Sequence, residues 1–165
     1  MLYRAIVSAL LFLPVANLWA QTTPTKQAEK QGFTFCKPAF ERVTNAVIRG
    51  EEHIGRTIAH GKEPNKRAAT SQIAVLGDIS PVAAIVSMSR SAADDCDAEF
   101  TTVYATERSC EEERSTKLSE WKSLGANKAF TFLENPDGDT TRILMQNGKG
   151  CVIVTNRVAY GVRND

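Results

Sequence analysis

The sequence lacks an apolar run of the roughly 20 residues that a membrane-spanning helix needs. It also lacks any close pair of cysteines and carries only two histidines in 165 residues. The nearest two cysteines, Cys96 and Cys110, are 14 positions apart. Structural zinc sites favour closely spaced Cys pairs, so this spacing argues against one. There is no Gly-Xaa-Ser-Xaa-Gly elbow, no paired-histidine zinc motif, no phosphate-binding glycine loop and no haem-attachment Cys-Xaa-Xaa-Cys-His. Net charge is scarce too. The formal charge is +1, and without Arg4 the remaining 19 basic and 19 acidic residues balance. That removes the electrostatic case for nucleic acid or an anionic lipid surface.

What is present begins with an export signal. Arg4 is the only charge in residues 1–20, an apolar run from Ala5 to Leu13 follows, and Ala20 ends the segment. A positive start, a short apolar stretch and a small terminal residue are the parts of a cleavable signal peptide. Cleavage after Ala20 is expected, with Ala16 as the alternative, and no stable membrane insertion afterwards. Residues 21–32 hold no large apolar side chain and read as a flexible leader. Residues 33–165 then form a single domain, long enough for a core.

Cys36, Cys96, Cys110 and Cys151 all follow the signal. An even count in an exported chain reads as two disulfides. Glu99–Glu107 holds no turn residue and reads as one strand. Fourteen extended steps span roughly 46 Å at about 3.3 Å each, too far for a 96–110 bridge. Two pairings stay open: 36–96 with 110–151, or 36–110 with 96–151.

Pro38 to His60 carries an apolar stripe (Phe40, Val43, Val47, Ile54, Ile58) at helical spacing, weakened by Gly50 and Gly55. Ala68–Leu76 fits a short helix or an entering strand. Val82–Met88 and Glu99–Glu107 read as strands. Ser109 with Glu112 makes a capping box for a second helix, with Leu118, Trp121 and Leu124 on its inner face and Gly125 as its stop. Ala129–Glu134, Thr141–Gln146 and Cys151–Thr155 follow as a meander around turns at Asn135–Gly138 and Asn147–Gly150, with a bulge near Asn156. The expected fold is α+β: a single antiparallel sheet of about five strands, with two main helices packed on it and disulfide staples.

Residues 37–67 carry a net +3 and residues 94–120 a net −6. On a helix running to His60, Arg42, Arg49 and Arg56 lie beside His53 and His60, opposite the apolar stripe. This makes a candidate docking stripe for an acidic partner, weighed against an ordinary solvated face. Ser119-Glu-Trp-Lys122 matches a serine acyl-enzyme pattern without its companion motifs. Asp95-Cys-Asp97-Ala-Glu99 starts like a calcium loop, but Phe100 stands where that loop needs glycine. Cys110, at a helix N-terminus, is reactive only if unpaired. No catalytic constellation is found, and no metal or cofactor is expected. The reading is a periplasmic or secreted protein-binding module, such as an inhibitor or immunity-like protein or an accessory part of an envelope assembly. Its partner is a protein, not nucleic acid. The alternatives are a small hydrolase, with His53 or His60 as base, and a small-ligand carrier.

Overall fold

The computed structural model describes residues 22–77 and 80–164; the signal-peptide reading lies outside them. Helices α1 (Thr23–Lys30) and α2 (Lys37–Ile48) lead into strands β1 (His53–Ile58), β2 (Ala69–Val75), β3 (Val82–Arg90) and β4 (Cys96–Thr106). Helix α3 (Cys110–Lys117) follows, then β5 (Lys122–Ala126), β6 (Phe130–Glu134), β7 (Thr140–Asn147) and β8 (Gly150–Val162). The strands form one antiparallel sheet in the order β1-β2-β3-β4-β8-β7-β6-β5. The expectation of about five strands and two main helices is thereby corrected to eight strands and three short helices among the described residues. No described helix is long and apolar enough to cross a membrane.

The added strands come from segments whose apolar spacing fits two periods. The helix expected to run to His60 stops at Ile48, where Arg49 and Gly50 adopt left-handed backbones (φ 56° and 81°). The β-branched residues beyond them then enter β1, where Thr57 turns inward and Ile54 and Ile58 turn out. The second helix likewise ends at Lys117, although Ser109 does cap it through Glu112 N–H at 3.2 Å. Leu118 and Trp121 still reach a core, but Leu124 is exposed on β5. Ala69–Val75 resolves as a strand. The register shift in β8 falls beside Cys96 and Ala98 rather than at Asn156.

Within the segment read from composition as a leader, residues 23–30 form helix α1. Thr22 caps α1, and Thr25 and Ala28 are fully buried. The segment buries hydroxyls rather than large apolar groups. Thr22, Thr25 and Thr44 hydroxyls lie within 2.7–3.3 Å of one another, and Thr44 donates to the Phe40 carbonyl at 2.9 Å. Paired hydroxyls can be buried at little cost, so composition alone misses the helix.

Register places both cores on one face of the sheet. Val86 faces Phe100 across β3–β4, and Tyr104 faces Ile153 across β4–β8. Residues of one parity on β4 thus serve both clusters. The first gathers Phe33, Phe40, Ile48, Val86 and Met88 under α1 and α2; the second gathers Leu118, Leu133, Leu144 and Ile153 beside α3. Each cluster has its own staple. Cys36 at the start of α2 bonds Cys96 at the start of β4, with Cα atoms 5.9 Å apart. Cys110 in α3 bonds Cys151 in β8, with Cα atoms 4.9 Å apart. This is the first of the two open pairings; 36–110 with 96–151 is set aside. Gly150 lets β8 approach β4 beside the second staple, since a Cβ there would strike the Thr106 carbonyl oxygen.

Candidate functional site

The cationic stripe does not exist as one surface. Arg42 lies on α2 and donates to the Arg163 carbonyl. Arg49 is the left-handed cap of that helix. His53 and Arg56 belong to β1, where odd positions pair in register with the core side of β2 and even positions point away. They therefore face opposite sides of the sheet. His60 lies past the strand. The arrangement required a helix through Gly50, and its two left-handed residues prevent that.

Both imidazoles are held by backbone. His53 Nε2 accepts from Thr23 N–H at 3.4 Å, and Nδ1 lies 3.0 Å from the Glu51 carbonyl oxygen. His60 Nδ1 accepts from Glu63 N–H at 3.0 Å. Each thus has a lone pair engaged that a base or a metal ligand would need. The Glu63 carboxyl beside it is held below its ordinary range by its hydrogen bond and attraction to Lys66, with Arg67 and His60 adding to this. No group of three metal-ligating side chains occurs among the described residues. Asp97 accepts from Gly161 N–H and Glu99 from Asn156, so the acidic alternation serves the β4–β8 ladder. Ser119 and Lys122 do not share a helix. Cys110 is bonded, so it offers no thiol.

The feature not read from the sequence is the other side of the sheet. The three described helices lie on the core face, and no described helix packs on the opposite face. An apolar row crosses it strand by strand. It runs from Ile54 on β1 through Ala74 and Ala83 to Val103 on β4. It continues through Val154 on β8 and Ile143 on β7 to Phe132 on β6. A second row, Ala105, Val152, Met145 and Phe130, lies beside it on β4–β8–β7–β6. Val103, Phe130 and Phe132 are 36%, 40% and 43% exposed, large values for side chains in a sheet. The next row toward the other end turns polar, with Thr101, Asn156, Thr141 and Glu134. Lys128 and Lys149, in the turns beyond the second row, belong to no salt bridge among the described residues. The result is an apolar band with Lys128, Lys149 and Glu107 at one end, where Glu107 and Lys149 line one hollow. The signal was available in the alternation of β7 and β8, whose outward positions are as apolar as their inward ones.

The two sheet edges differ. On β1, the Gln27 side chain donates to Gly55 O at 2.9 Å and accepts from Thr57 N–H at 2.7 Å. Gln31 donates to Thr57 O at 2.8 Å and accepts from Ala59 N–H at 2.9 Å. On β5, no described side chain bonds the backbone, and every residue is exposed. Its five-residue length, Lys122 and a register shift between Ser123 and Gly125 blunt that edge.

Comparison with protein-family models, with curated proteins and with solved structures returns no match to this chain.

Proposed function

We propose that the protein is an exported protein-binding module, acting in a periplasm or outside the cell, and that it docks its partner on the open face of the sheet. The observation that carries this reading is the apolar row from Ile54 to Phe132, doubled on β4–β8–β7–β6. A contiguous apolar surface left in water is costly at roughly 25 cal/mol per Å², and in a folded chain such patches mark interaction sites. The occupant is a protein with an apolar patch bordered by carboxylates, matching the net positive rim of Lys128, Lys149 and Glu107. Two disulfides fit an oxidising compartment.

The test is site-specific photocrosslinking in the native envelope fraction. A crosslinking residue at Phe132 should capture one partner in near-equal amount, while the same residue at Ser115 on α3 should not. Phe132→Lys should abolish co-purification of that partner without unfolding the protein. Equal capture from both positions, or a partner retained by Phe132→Lys, overturns the reading.

A further inference from the structure

Arg142 stands apart from the other arginines. It is half-buried, whereas every other described arginine is exposed. It extends from β7 on the core face, beside Thr155 of β8 and Leu133 of β6. Its guanidinium lies 4.6 Å from the Trp121 ring centroid, and its Nε donates to the Thr155 hydroxyl at 3.2 Å. No described carboxylate pairs with it. Its neighbour on the same face, Arg157, has such a partner in Asp139 at 2.9 Å.

We propose that Arg142, oriented by Trp121 and Thr155, is a carboxylate-binding site on the helix-bearing face. A guanidinium offers a flat fork that matches a carboxylate with two parallel hydrogen bonds. Here the Nε edge is committed to Thr155, which leaves the Nη1–Nη2 edge for a ligand. Stacking on an indole fixes the plane of the fork and lowers the entropy lost on binding. Partial burial strengthens the attraction relative to an exposed arginine, where water screens it. A permanent counter-ion would have neutralised the group, as Asp139 does for Arg157. This site lies on the face opposite the proposed docking surface and does not depend on it. The chemistry is that of a carboxylate, carried either by a small organic acid or by an acidic side chain of a peptide.

The indole Nε1–H resonance of the mature chain reports the site. Trp121, the only indole left once residues 1–20 are cleaved, is assigned by its loss in Trp121→Phe, and the backbone amides of α2 serve as the internal reference. The probes are sodium acetate, a blocked Gly-Glu-Gly peptide, its Gly-Gln-Gly counterpart, and sodium chloride at matched ionic strength. A saturable shift of the Trp121 signal is expected with a carboxylate, and none with the Gln peptide or chloride. Arg142→Met and Arg142→Lys should each weaken it by at least about tenfold, the loss expected for a charge-assisted bidentate contact. Saturation by acetate assigns a free acid, and saturation by the Glu peptide alone assigns a protein-borne carboxylate. Amide dispersion shows which variants are folded. A shift that tracks ionic strength only, or that survives in a folded Arg142 variant, overturns the proposal. Arg142 would then merely cover the core with its apolar stem.

Discussion

Gln27 holds Thr57 as a neighbouring strand would. Its amide oxygen accepts the Thr57 N–H at 2.7 Å while its nitrogen serves the Gly55 carbonyl. Gln31, one turn on, repeats the pattern at Thr57 and Ala59. Four residues of helix rise about 6 Å and two residues of strand about 6.8 Å. Glutamines at i and i+4 therefore meet outward-facing backbone groups at j and j+2.

Removing this seal should expose the edge. Gln27→Ala with Gln31→Ala deletes four hydrogen bonds, each worth about 0.5–1.5 kcal/mol net. Together they predict a loss of about 2–6 kcal/mol in urea unfolding. Freed strand edges pair with other chains, so the double variant should also self-associate in light scattering at concentrations where the parent does not. A variant that stays monodisperse with its stability unchanged would show that α1 does not guard the edge.

Adjacent residues on β6 should respond oppositely to substitution. Leu133 is fully buried, and Leu133→Ala should cost about 2–5 kcal/mol. Phe132 points to the open face, and Phe132→Lys should change stability by less than about 1 kcal/mol. Thermal unfolding of the two variants checks the register that defines the docking surface.

Each disulfide should contribute through the unfolded chain. Loops of 60 and 41 residues correspond to about 4 kcal/mol each in the chain-entropy model. Paired Cys→Ser replacements at 36/96 and at 110/151 should lower the urea midpoint by similar amounts. A pair whose removal costs nothing would contradict its role as a staple.

The Asp139 carboxyl is held below its usual range by hydrogen bonds from Thr140 and Asn135. Partial desolvation works against this, and Arg157 adds to the lowering. Because the folded value is depressed, the stabilisation is complete above the unfolded value of about 3.9 and is lost as pH falls through the folded one. Asp139→Asn should therefore be less stable than the parent at neutral pH, with the gap closing below about pH 4. A gap that persists at pH 2 would mean that the loss is steric rather than ionic.

Local signals fix particular elements. Ser109 and Glu112 start α3, Asn135–Gly138 turns β6 into β7, and the unbroken run through Val103 keeps Cys96 and Cys110 apart. The sequence by itself determined that this is a largely antiparallel, twice-bridged chain with no short catalytic or metal motif, because caps, turns and cysteine spacings act over a few residues. It misjudged α1, β1 and β5. α1 and β1 are held by threonine hydroxyls and glutamine amides, and β5 only by its pairing with β6. Tertiary structure alone decided which cysteines pair, that Arg42, Arg49, His53, Arg56 and His60 do not line one helix face, and that Arg142 meets Trp121. It also decided that every described helix lies on one face of the sheet. Alternation along a strand says only that two faces differ; which one is covered depends on where the connecting helices pack.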